Sequence, residues 1–104
     1  MAQFDVFVNP MAHARRAYPY VAVLQSDLAE SGRERIVAPL APKPRVAAAM
    51  RRVAPQVRVS DVDHVLVVPR MAAIPVADLR EPRGQVGAYR DEIVAALDHL
   101  FLGV

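Results

Sequence analysis

The chain has 104 residues, of which 54% are hydrophobic and 23% charged. That length gives one domain, residues 1 to 104, because a domain takes roughly 100 to 200 residues, and the composition excludes a disordered chain, which is too polar to offset its ordering entropy by burial. Thirteen Lys and Arg against eleven Asp and Glu leave +2, too small an excess to indicate sequence-specific nucleic-acid binding. The absence of cysteine excludes disulfide frameworks, thiolate metal sites and cysteine nucleophiles. The opening Met1-Ala2-Gln3-Phe4-Asp5 lacks the basic and apolar regions of a signal peptide, and no apolar run is long enough to span a bilayer. A cytoplasmic protein with no membrane association is expected. A domain this small leaves apolar surface uncovered, so an oligomer is expected as well.

Taken in chain order, Gln3 to Val8 alternates as a half-buried strand does, with Phe4, Val6 and Val8 on one side and Gln3, Asp5 and Phe7 on the other. Asn9-Pro10 ends that run, and Met11 to Pro19 has no period and reads as an exposed loop. Tyr20 to Leu24 and Arg35 to Leu40 are β-branched, apolar runs separated by a Glu30-Ser31-Gly32-Arg33 turn. Pro39 has no N–H and is expected at an edge, a bulge or a strand end. Residues 46 to 54 have high helix propensity. Val57 to Val59, His64 to Val68 and Ile74 to Val76 read as three further short strands, and Pro82 to Gly87 as a linker rich in breakers. In the last segment Tyr89, Ile93, Ala96, Leu97, Leu100 and Val104 recur at helical spacing. Asp91 and Glu92 fall in the first turn, where the helix dipole favours acids. That stripe leaves Asp91, Ala95, Asp98 and Leu102 facing solvent. Short strands followed by a terminal helix give a β-rich α+β fold, a small antiparallel sheet or barrel.

Chemistry-bearing motifs are sparse. His13, His64 and His99 stand at no metal-ligand spacing. Asp63-His64 and Asp98-His99 are sequence neighbours, which on a strand point to opposite faces and on a helix diverge. Four scattered glycines form neither a phosphate-binding loop nor a nucleophile elbow. No cofactor and no enzymatic activity are expected. A metal-free ribonuclease needs only a cation and a general base, and His13, Arg15 and Arg16 are the candidates for that alternative. Charge is uneven: residues 1 to 58 carry nine basic and four acidic side chains, and residues 59 to 104 carry four and seven.

Five blocks, in order, resemble the CcdB-type toxin family: Gln3-Phe4-Asp5-Val6-Phe7, Val23-Leu24-Gln25-Ser26-Asp27-Leu28, Arg35-Ile36-Val37-Ala38-Pro39-Leu40, Met71-Ala72-Ala73-Ile74-Pro75-Val76 and Leu100-Phe101-Leu102-Gly103-Val104. The resemblance spans nearly the whole chain. It implies an SH3-like barrel with a C-terminal helix, a two-fold homodimer, and the toxin half of a toxin–antitoxin pair. Such a dimer inserts its C-terminal ends into the A subunit of DNA gyrase and traps the enzyme on cleaved DNA, and a partly disordered antitoxin displaces it. An endoribonuclease toxin on the same barrel, or a non-toxic homologue, is the alternative the fold leaves open.

The same resemblance implies the surfaces. The family's gyrase-contacting Trp-Gly-Ile end corresponds to Leu102, Gly103 and Val104, so the aromatic anchor is replaced by leucine. Phe101, Gln3, Phe4, Ser26 and Leu28 match the remaining gyrase-facing positions, although Phe4 and Leu28 are equally readable as core. Antitoxin contacts would fall on basic loop residues, His13, Arg15 and Arg16 in the first loop and Lys43 and Arg45 near the middle of the chain. Basic side chains there would meet an acidic antitoxin segment and raise its association rate.

Overall fold

The computed structural model describes residues 1–29, 32–42 and 51–104. Among them, runs of β-branched and apolar residues form seven short strands in one antiparallel sheet. These are β1 (Asp5–Val8), β2 (Tyr20–Val23), β3 (Glu34–Pro42), β4 (Gln56–Val59), β5 (Val62–Leu66), β6 (Ala72–Pro75) and β7 (Pro82–Gln85), and a single helix, α1 (Arg90–Leu102), closes the chain. The strand order is β4-β5-β3-β2-β1-β7, with β6 also paired to β3. The sheet curls until its end strands meet, so that a Cβ on Gly84 of β7 would stand 3.9 Å from Val59 Cγ1 of β4. The result is a half-barrel.

Alternation along the strands sorts side chains onto two faces. The inner face carries Val6, Ala22, Leu40, Val57 and Leu66, and α1 covers it with Ile93 and Ala96. The outer face carries Phe7, Val21, Val23 and Val37, capped by Leu79 and Ile74. Burial on both faces explains why β1 and β2 read as almost continuously apolar. Each fully buried aliphatic side chain contributes about 1.5–3 kcal/mol by leaving water, and Val6, Leu40, Leu66 and Ile93 have no exposed surface.

The strand β3 reconciles Pro39 with an interior position. On one side β3 pairs along β2, with Val21 opposite Pro39. On the other, Glu34 to Val37 pair with β6 and Leu40 to Pro42 with β5. The Pro39 carbonyl accepts from Val67 N–H at 2.9 Å on that second side, so the missing N–H falls where one partner strand gives way to the next.

One reading from the sequence is corrected. Residues 82 to 87 are no linker: Pro82 to Gln85 form β7, pairing Asp5 with Gln85 and Phe7 with Pro82 across a register shift. The breakers are tolerated because β7 is the last strand of its sheet, exposed along its length, where a proline costs no ladder bond. The helix propensity of 46 to 54 is not realised at 51–54, which are turn and bend, and residues 46 to 50 lie outside the described residues. Arg51 to Ala54 precede Pro55, and a residue before proline is pushed out of the helical region.

The β4–β5 hairpin turns on Ser60 and Asp61, at φ 51° and 64°, with Val59 opposite Val62. Two left-handed residues in a two-residue loop match the twist of the strands. His64 is a satisfied core histidine. It is buried, its Nδ1 lies 2.9 Å from the Val62 carbonyl, and its ring meets Tyr20 edge-on at 5.5 Å between centroids. Because a carbonyl only accepts, Nδ1 carries the proton.

Candidate partner-binding surface

The helix tip follows from how α1 is seated and ended. Ile93 and Ala96 are buried, and Tyr89, Leu97 and Leu100 pack on the same core, as the helical spacing requires. Gly103 then takes the left-handed conformation at φ 71° and donates its N–H to the His99 carbonyl at 3.1 Å, which stops the helix. A side chain at that φ is strained, and glycine is not. Around this helix end the apolar side chains stand outside the core. Phe101 is 67% exposed, Leu102 72% and Val104 73%. The placement of Leu102 agrees with the helical period. Val104 departs from it, since Gly103 takes the chain out of the helix before Val104 can join the buried stripe.

A second group of sequence-predicted residues gathers at the N-terminus. Gln3 donates its backbone N–H to Asp27 Oδ1 at 2.8 Å and its side-chain Nε2 to the Leu24 carbonyl at 2.9 Å. Ser26 Oγ accepts from Leu28 N–H at 3.1 Å, and Gln25 Nε2 donates to the Ala29 carbonyl at 2.8 Å. Short polar side chains that bond to backbone a few residues on are what shape such turns. Leu28 projects from this turn at 93% exposure, so it is no core residue. Phe4 goes the other way. It is buried with Val6 and Leu24, while its backbone sits at φ 70°, and its N–H and carbonyl bond Val23 O at 2.7 Å and Val86 N–H at 2.9 Å.

The first loop is ordered by Asn9, buried within it. Its Nδ2 donates to the Tyr18 carbonyl and its Oδ1 accepts from Met11 N–H, each at 2.9 Å. A 3₁₀ turn, Ala12–Ala14, follows, with His13, Arg15 and Arg16 exposed. Arg15 Nε donates to the Asn9 carbonyl at 2.6 Å. Beside the loop an apolar groove of about 220 Å³ runs along the outer sheet between Met11, Tyr18, Val21 and Ile74. Lys43 and Arg45 lie outside the described residues.

Sequence reasoning missed three contributors. Asp27 and Gln85 bond the Gln3 backbone. Asp27, in a Gln-Ser-Asp run, carried a readable turn signal, whereas Gln85 acts across 82 residues and had none. The third is a cleft of about 450 Å³ where Arg51, Arg52, Gln56, His99 and Val104 meet beside the helix tip. His99 Nδ1 is buried there with no hydrogen-bond partner among the described residues. Among the described residues no group of three His, Cys, Asp or Glu side chains is placed to hold a metal ion, and no helix is long and apolar enough to cross a membrane. What the surface offers is exposed apolar side chains on fixed backbone, an arrangement suited to docking.

Two comparisons bear on the chain. The family profile described as CcdB protein matches residues 3–103. No curated protein matches it.

Proposed function

The chain belongs to the CcdB family of toxin–antitoxin toxins, and from that premise we propose that it acts as a homodimer on the A subunit of DNA gyrase, trapping the enzyme on cleaved DNA until a cognate antitoxin removes it. The observation that carries this reading is the helix tip. Phe101, Leu102 and Val104 are each at least two-thirds exposed, and they occupy the positions that correspond to the family's gyrase-contacting end. Large apolar side chains held in water at the end of a well-seated helix do nothing for folding and suit insertion into a partner's pocket. Gln3, Ser26 and Leu28 supply a second contact group, and Phe4 contributes through the backbone it fixes.

The action is a shift in another enzyme's states, with no bond made or broken by the toxin. Leucine in place of the family's tryptophan removes a large planar anchor, of a residue type enriched among hot spots, so weaker poisoning than in a tryptophan-bearing relative is expected. His13, Arg15 and Arg16 form the described part of the proposed antitoxin surface, and Lys43 and Arg45 are further antitoxin contacts on the family resemblance alone. A partly apolar antitoxin segment would lie in the groove beside Met11 and Tyr18, with acidic residues toward the arginines.

The test is incubation of the purified protein with gyrase and relaxed plasmid. Accumulation of protein-linked cleaved DNA, with added RNA left intact, supports the proposal. RNA degraded without gyrase would establish the endoribonuclease alternative in its place.

A further inference from the structure

We infer that Asp27 and Gln85 are positioning residues for the gyrase-binding surface, and this rests on the reading given above. Asp27 ties the N-terminal segment to the 25–29 turn and Gln85 ties it to β7, so that the Gln3 side chain and Leu28 meet the partner as one preset unit. The clamp closes on Gln3 from both sides. Asp27 Oδ1 accepts the Gln3 N–H at 2.8 Å, while Gln85 Nε2 donates to the Gln3 carbonyl at 3.0 Å and to Asp5 Oδ1 at 2.8 Å. Gln85 is held in turn by Gly87 N–H, which donates to its Oε1 at 2.5 Å.

An independent feature shows that this segment needs holding. Phe4, between the two clamped residues, is a bulky side chain at φ 70°. A non-glycine residue in that region costs of order 1 kcal/mol and persists where its surroundings over-determine it. Asp5, on the other side of Phe4, donates its N–H to the Ala2 carbonyl at 3.1 Å and accepts from Ala2 N–H through Oδ2 at 2.8 Å. Both neighbours of the strained residue are therefore tied by polar side chains, of which Asp27 and Gln85 are exposed and Asp5 is half-buried.

The consequence for binding is pre-organisation. Gln3 Nε2 is committed to the Leu24 carbonyl, which fixes the orientation of the amide. Leu28, 93% exposed, stands on the same turn through the Ser26 bond. Without Asp27, ordering of Gln3 relative to Leu28 would have to occur on binding and would subtract from affinity.

The experiment uses the full chain with Asp27→Ala, Asp27→Asn and Gln85→Leu, measured by calorimetric titration against purified gyrase A subunit and by amide hydrogen exchange of the free protein. Loss of one hydrogen bond's ordering predicts affinity about five- to tenfold weaker for Asp27→Ala and Gln85→Leu. Asp27→Asn keeps a carbonyl acceptor and should recover most of the affinity, a rescue that a general loss of stability would not give. Exchange at Gln3 N–H should be about tenfold faster in Asp27→Ala, with the amides of β2 and β3 unchanged. Wild-type affinity in both Asp27→Ala and Gln85→Leu would overturn the positioning role while leaving gyrase as the partner. If the wild-type chain does not bind gyrase A, the functional reading falls, and the exchange data decide the clamp alone: unchanged Gln3 exchange overturns it, and faster exchange supports it.

Discussion

Truncating Leu102 separates binding from folding. Its exposure of 72% leaves about 130 Å² of side chain and backbone in water, worth at most about 3 kcal/mol at about 25 cal/mol per Å² if a partner covers it fully. Leu102→Ala removes the outer part of that area, so about 2 kcal/mol of binding should be lost, close to thirtyfold in Kd. Folding should change by no more than about 0.5 kcal/mol, because nothing buried is removed. The assay is a titration against gyrase A subunit paired with thermal melting of the same preparations. Unchanged affinity in Leu102→Ala would refute the docking role of the tip. A large fall in melting temperature would refute the premise that the tip is free of the core.

Three further changes test the fold. Ile93→Ala removes a side chain with no exposed surface and should cost about 2–5 kcal/mol of stability in urea unfolding, against which a cost under about 1 kcal/mol would mean that α1 is not seated as described. Replacing Ser60-Asp61, at φ 51° and 64°, with Asn-Gly should stabilise the chain by about 0.5–1 kcal/mol, and destabilisation would show that the hairpin does not turn through two left-handed residues. Phe4→Ala and Phe4→Gly both lose the buried ring, yet the glycine variant should be the more stable by about 1 kcal/mol because φ 70° strains alanine; the ordinary order, alanine above glycine, would remove the strain from the argument.

How much of this was legible depended on whether a residue's role is set locally. The helix was, because Ile93, Ala96, Leu97 and Leu100 recur with its period, and so was the exposure of Leu102. The strands β2 and β3 were visible as apolar runs for the same reason. The strand β7 was not, since Pro82 and Gly84 belong to a strand only because β1 lies beside them and the other side is an edge. Residues 51 to 54 have helix-forming letters, and their turn is fixed by Pro55 and the entry into β4. In the candidate site, Leu28 and Phe4 share a hydrophobic character in the sequence and part company in the structure. The Gln-Ser-Asp turn holds Leu28 in water, whereas the left-handed backbone at Phe4 turns its ring onto Val6 and Leu24. Neither the strain at Phe4 nor the reach of Gln85 to Gln3 leaves a periodic trace.

The separation of Leu102 from the core also bears on what its replacement means. In α1 the stabilising contacts end at Leu100, and Gly103 closes the helix through a backbone bond to His99. The intervening positions, Phe101 and Leu102, contribute exposed surface, so substitutions there should hardly affect folding and, under the proposed docking role, should act on partner binding. A leucine where the family carries tryptophan leaves the scaffold intact and, under the proposed docking role, alters only the side chain offered to the partner. Leu102→Trp therefore restores a planar side chain without a packing cost. Stronger growth arrest on inducing that variant would mark the native tip as a weakened gyrase anchor, whereas weaker arrest would mean the leucine fits a pocket of different shape, since a site shaped for leucine cannot accept an indole without displacing its own side chains.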